Sequence, residues 1–281
     1  MSSPQLIIFD EKEKTAMDVS QWASDPRPEK AKVRSCVAKH FAPWGSSKLA
    51  LGLPAEECLC IKEGQQSGAY TQDTVYVAAE RELKCREPIR NILKGSFKTS
   101  YLHPGHIESL DLSRITDHFK TKIDTAYLDF CGYLTNKRVN YLTHLVDHSR
   151  IMAKFAFTFS RSIRNARCAR ALKRADRDLS YRQRCYSEPI PIAIWGDTDN
   201  SVAEASVAVL MKSLDDTCTL DFAIAYRDTT TPMLTVGVTK VRERSHTNSF
   251  LTQDVKVMPI AQRFSKADSI YTIPKGHELV H

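Results

Sequence analysis

LDFAIAY (220–226), RDTTTP (227–232) and MLTVGVTKV (233–241) decide the architecture. The two apolar runs are rich in β-branched and aromatic residues and read as strands. Only a short polar stretch with a proline separates them. A parallel crossover needs about a dozen residues or more, so this pair must be an antiparallel hairpin. Every earlier pair of strands is spaced differently.

Working back from the hairpin, the apolar runs are AKFAFTFS (153–160), KIDTAYLDF (122–130), TSYLH (99–103), TVYVAAE (74–80) and KLALGL (48–53). Several are nearly continuous, as in strands buried on both faces. Helical patterns lie between them. Residues 84–94 carry Ile89, Ile92 and Leu93, with Pro88 expected in the first turn and Gly95 as a stop. Residues 136–150 carry Val139, Leu142, Leu145 and Val146 on one stripe, and residues 201–214 carry Val202, Val209, Leu210 and Leu214. Ahead of the first strand, 29–42 places Val33, Cys36, Val37 and Phe41 on one face, and Pro43 and Gly45 end it. Strand–helix alternation implies βαβ crossovers. The expected fold is α/β: a Rossmann-like, mostly parallel seven-stranded sheet, closed by a terminal antiparallel hairpin, with helices on both faces. The expected divisions are an N-terminal arm and helix (1–47), the α/β domain (48–242) and a C-terminal tail (243–281).

Composition excludes several classes. The chain has 281 residues, 42% hydrophobic and 26% charged, as in ordinary globular proteins. No run approaches the roughly 18 apolar residues of a membrane span. The opening MSSPQLIIFDEKEK lacks a basic stretch followed by a long apolar one, so no secretory leader is expected. The eight cysteines form no CxxC pair and no zinc-knuckle spacing, and they read as reduced thiols of a cytoplasmic protein. His144 and His148 stand at i and i+4 but lack a third ligand, so no metal site is expected. There is no GxxxxGK[ST], GxGxxG or GxSxG motif.

The net charge of +7 is local. Residues 161–185 hold Arg161, Arg164, Arg167, Arg170, Lys173, Arg174, Arg177, Arg182 and Arg184 against Asp176 and Asp178; elsewhere the signs balance. The three- and four-residue steps from Arg161 to Arg177 make one helical stripe, read as a basic helix inserted after the fifth strand. Arginine suits bidentate phosphate contacts, and Tyr181 and Tyr186 lie close enough in sequence to stack on bases. The expected partner is nucleic acid, RNA or DNA. A solvated face or an acidic protein surface is the alternative. The N- and C-terminal arms are candidates for a protein partner, and no membrane contact is expected.

Strand–helix alternation over about 48–242, closed by a hairpin, resembles the class I S-adenosylmethionine (SAM)-dependent methyltransferase fold. In such sheets ligands bind at the carboxyl ends of the strands. The resemblance implies SAM as cofactor. It assigns Leu53 and Pro54 after strand one to the methionine moiety, where the family has a glycine-rich turn absent from LPAEECLCIKEG (53–64). Glu80, with Glu82 next, would hold ribose hydroxyls, the other reading being a helix-start acid. His106 or Ile107 would meet the adenine, the other reading being a plain turn. After strand four, LDFCGY (128–133) falls where amino-methylating members carry a polar residue, prolines and an aromatic ring. By position Asp129 would accept from the target amine, and Phe130 or Tyr133 would stack on the base. Both prolines are missing. The other reading makes Asp129 a loop cap and Phe130 core. Cys131 lacks the preceding proline of cysteine-nucleophile methyltransferases and reads as an inert thiol. The degenerate motifs resemble those of divergent phage- or virus-encoded enzymes. The reading is therefore a nucleic-acid methyltransferase with amino groups favoured. The alternative is an inactive methyltransferase-fold subunit that binds nucleic acid or an assembly.

Overall fold

The computed structural model describes residues 28–42, 47–160, 193–195, 206–207, 210–211, 213–228 and 231–244. The arginine stripe and most of the two terminal arms lie outside them. In chain order the elements are α1 (Pro28–Phe41), β1 (Leu49–Gly52), α2 (Leu59–Gln66), β2 (Val75–Ala79), α3 (Leu83–Ser96), β3 (Thr99–His103), α4 (Leu112–Phe119), β4 (Ile123–Tyr133), α5 (Asn136–Asp147), β5 (Ser149–Ser160), β6 (Ala193–Trp195), β7 (Cys218–Asp228) and β8 (Thr231–Lys240). They form one sheet in the order β3-β2-β1-β4-β5-β8-β7-β6. The pairs β3–β2, β2–β1, β1–β4, β4–β5 and β6–β7 are parallel. β8 runs antiparallel to both neighbours, β5 and β7. The expected hairpin is therefore present, as are all seven expected strands. The three-residue β6 joins them at the edge.

Alternation along the strands divides the interior in two. On β4, Ala126, Leu128 and Phe130 face one core, with Leu112 and Ile115 of α4, Leu142, Leu145 and Val146 of α5, and Val207, Leu210 and Leu214. Tyr127 faces the other, with Val33, Val37 and Phe41 of α1, Ile61 of α2 and Cys85, Ile89 and Leu93 of α3. Helices therefore cover both faces. α1 belongs to this second core, and the Lys154 ammonium on β5 donates to the His40 carbonyl at 2.7 Å. Among the described residues, no helix is long and apolar enough to cross a membrane.

One detail differs from expectation and two add to it. Pro88 is not in the first turn of its helix but is the sixth residue of α3. It offers no N–H to the Lys84 carbonyl, at a cost of about 3 kcal/mol. The buried stripe Cys85–Ile89–Leu93 outweighs that cost. Residues 59–66, to which the sequence assigned no element, form a helix in which Ile61 and Gly64 pack inward and Tyr70 lies against Gly64. α4 starts on Asp111, whose carboxylate accepts from the Ser113 and Arg114 amides.

At the amino ends of the central strands sits Asp124, whose side chain is 2% exposed. It accepts from the Lys48 and Leu49 amides of the β1 entry and pairs with Arg150 at the start of β5. Beside it Ser47 and Thr125 share a hydroxyl hydrogen bond of 2.9 Å. Asp124→Ala would leave the buried Leu49 amide and the partly buried Lys48 amide without an acceptor, a loss of about 3 kcal/mol. Thermal unfolding should show the midpoint falling by roughly 5–10 °C, with Asp124→Asn losing less. A loss below about 1 kcal/mol would show that Asp124 does not hold these strands together.

Candidate active site

The parallel order β3-β2-β1-β4 brings the ends of four strands to one edge. Leu53–Pro54, Glu80–Glu82 and Pro104–Ile107 leave the sheet there, and Asp129–Tyr133 are the last residues of β4, which runs on past the end of β1. Each expected site residue within the described part is therefore on the carboxyl edge.

After β1 the Leu53 amide donates to the Tyr127 carbonyl at 3.2 Å, which fastens the loop to β4. Pro54 is buried. The chain then turns into α2 through Cys58, whose φ of 49° lies in the left-handed region. A non-glycine residue there carries a strain of about 1–2 kcal/mol. The tight turn thus exists without glycine; Cys58 makes it, fully buried, with its amide on the Ala55 carbonyl at 2.8 Å. Gly52 has a different task. A Cβ there would fall 2.0 Å from the Tyr76 hydroxyl, so Gly52 admits the ring that stacks on Phe97.

After β2, Glu80 Oε1 accepts from the Glu82 amide at 2.7 Å, and the Glu80 amide donates to the His103 carbonyl at 3.0 Å. Burial raises the Glu80 carboxyl above its ordinary range, and the neighbouring Glu82 charge adds to this. Glu82 precedes α3 without a side-chain cap and takes the Arg81 guanidinium at 3.0 Å. Sequence reasoning missed Arg86, which reaches back from α3 to the carbonyls of Glu80, Arg81 and Pro104. After β3, His106 is exposed and starts a short 3-10 turn, while Ile107 is buried in the first core. Of the two, only His106 has a side chain open to a ligand.

Near the carboxyl end of β4, Asp129 Oδ2 lies 3.1 Å from the Lys30 ammonium of α1. Its Oδ1 is buried and has no hydrogen-bond partner among the described residues. Lys30 was missed as well; it sits in the first turn of a helix read only for its apolar face. Phe130 is buried, and Arg138 stands over its ring at 4.7 Å. Arg138 also pairs with Glu108 at 3.2 Å and so ties the β4 exit to the loop after β3. Stacking of Phe130 on a base would require Arg138 to leave that ring face. Tyr133 ends β4 opposite Ser160 of β5, beyond a register shift that starts at Asp129. Burial pushes the Cys58 thiol up to about 12 and Cys60 to about 11, so neither is a ready nucleophile. Arg161, Arg164, Arg167, Arg170, Lys173, Arg174 and Arg177 lie outside the described residues, but the chain enters them from Ser160 on this same edge.

No family model and no curated protein matches the sequence. Among solved structures, the N-methyltransferase NodS from Bradyrhizobium japonicum WM9, in complex with S-adenosyl-L-homocysteine (SAH), is similar with a TM-score of 0.50 and 10% identity, over 80% of this chain and 94% of that one. The O-methyltransferase TomG from Streptomyces achromogenes, in complex with SAM, follows at 0.49 and 15%, over 84% and 92%. The similarity to NodS is one of fold: the chain shares the sheet architecture of that N-methyltransferase. It does not speak to a target, a compartment or a phage or viral source.

Burial of Glu80 has a direct consequence. Its carboxyl should titrate above the usual glutamate value of about 4.3, read from carboxyl carbon shifts against pH. Glu82→Gln should lower that midpoint by removing a like charge. A midpoint at or below the ordinary value would contradict the burial of this group.

Proposed function

We propose that the chain is a SAM-dependent methyltransferase that acts on an amino group of a nucleic acid. The observation that carries the reading is Asp129 Oδ1, a buried acceptor with no hydrogen-bond donor among the described residues, at the carboxyl edge of a methyltransferase-type sheet. A buried, unsatisfied acceptor is costly unless a ligand supplies the donor. The residues also fit the cofactor. Glu80 offers a carboxylate to ribose hydroxyls. The turn at Cys58 brings main chain to the end of β1, where Leu53 and Pro54 would meet the methionine part, and His106 lies at the adenine side. When bound, SAM supplies an electrophilic methyl group on a sulfonium.

The chain's own task is then chiefly positioning. Asp129 Oδ1 would accept a hydrogen bond from the target amino group and so orient its nitrogen toward the methyl donor. The neighbouring Lys30 ammonium, at 3.1 Å, is a precedent for a nitrogen donor on this carboxylate. Tyr133 is the ring proposed to stack on the base, with Phe130 as the alternative. The arginine stripe from Arg161 would hold the phosphate backbone, because the chain enters it from the same edge.

A second reading has its own support. Cys58 replaces the family's glycine turn, and Lys30 already occupies one oxygen of Asp129. These features suit a methyltransferase-fold subunit that binds nucleic acid without catalysis. Calorimetry with SAM on the full chain separates the two. The enzyme reading expects saturable binding; folded protein without binding refutes it. Asp129→Ala should then reduce methyl transfer by about a hundredfold or more while cofactor affinity stays within about twofold. Equal loss of both would place Asp129 in the cofactor site.

The stripe has a separate readout. Charge reversal at Arg164, Arg167 and Arg170 should weaken nucleic-acid binding and flatten the slope of log affinity against log salt. The expected change is about 0.9 for each phosphate of duplex DNA that is no longer neutralised. An unchanged slope refutes the stripe's role. Competition between RNA and DNA then identifies the polymer.

A further inference from the structure

Arg86 is the fourth residue of α3, and its side chain turns back over the start of that helix. Nε donates to the Glu80 carbonyl at 3.0 Å, and Nη2 to the carbonyls of Arg81 at 2.6 Å and Pro104 at 3.3 Å. These carbonyls come from the exits of two neighbouring strands, β2 and β3. One planar group thus holds both loops in a fixed relation. The main chain adds to the clamp through the Glu80 amide on the His103 carbonyl and the Gly105 amide on the same carbonyl, both at 3.0 Å. Glu80 Oε1 is fixed from the other side by the Glu82 amide.

All three guanidinium bonds go to main-chain oxygens, two of them in the segment that carries Glu80. A solvated surface arginine would not distribute its donors in this way. We propose that Arg86 is a positioning residue that sets this edge's preference for a ribose: by locking the exits of β2 and β3, it holds the Glu80 carboxylate where it receives ribose hydroxyls. This rests on the reading of the edge as a SAM site and adds the group that makes it selective for ribonucleosides over deoxyribonucleosides. Lysine cannot replace it, because an ammonium is a point charge without the fork that spans three carbonyls.

Titration calorimetry on the full chain tests this with two probes, SAH and its 2′-deoxyribose analogue. The wild type should bind SAH more tightly. Arg86→Ala should weaken SAH about tenfold, on the order of one charged hydrogen bond, and leave the deoxy analogue nearly unchanged. Arg86→Lys should do the same, which keeps the test valid if the alanine variant folds poorly. In a Glu80→Gln background, Arg86→Ala should add nothing further. Equal weakening of both probes, or the same loss with and without Glu80, overturns the proposal and leaves Arg86 a structural clamp. A wild type that binds SAH without preferring the ribose hydroxyl overturns it too. A folded wild type that binds neither probe refutes the cofactor reading itself, and this inference falls with it.

Discussion

A buried carboxylate at the amino ends of the strands governs what happens at the opposite edge. Asp124 receives the first amides of β1 and the guanidinium of β5 while itself belonging to β4. The three strands are thereby locked in register where they enter the core. A slip of one residue would turn every side chain to the wrong face. With the register fixed, Leu53 leaves β1 next to β4, where Asp129 pairs with Thr158 of β5 and Tyr133 with Ser160, and the loop after β2 follows by parallel pairing. The position of Asp129 is thus a consequence of Asp124, five residues earlier on the same strand.

The second core explains what the glycines near β1 do. Tyr76 fills the space above Gly52 and stacks on Phe97, and Tyr70 packs against Gly64. The glycines near β1 admit aromatic rings to the interior rather than forming a phosphate- or cofactor-facing loop. The turn is left to Cys58, which bears its strain inside a close-packed region. α1 completes this face and carries Lys30 to Asp129. One helix therefore both seals a core and reaches the candidate catalytic carboxylate.

Much of this was legible in the sequence. The hairpin at 220–241 followed from chain length alone, because no crossover fits six residues. The parallel strands were visible as apolar runs whose two buried faces leave little alternation. β6 was not, since three residues carry no period, and α4 was not, since LSRITDHF is too short and polar to stand out. Glu80 and Asp129 were placed by strand ends. Phe130 carried two readings, stacking ring or core, and Ile107 was one of two adenine candidates beside a plain-turn reading; both are packed in the core, because an apolar residue at a strand end serves either purpose until its neighbours are known. Lys30 and Arg86 left no trace: each acts through tertiary reach, one across the sheet face and one back over its own helix.

The central proposal is that this carboxyl edge binds SAM without a glycine-rich turn. Backbone amide spectra of the isotope-labelled full chain, titrated with SAH, test it most directly. The account predicts saturable shifts concentrated at 53–60, 80–86, 103–107 and 129–133, with the amino-edge residues around Asp124 and Arg150 unmoved. Shifts confined to the amino edge, or an unchanged spectrum at saturating ligand, would contradict it.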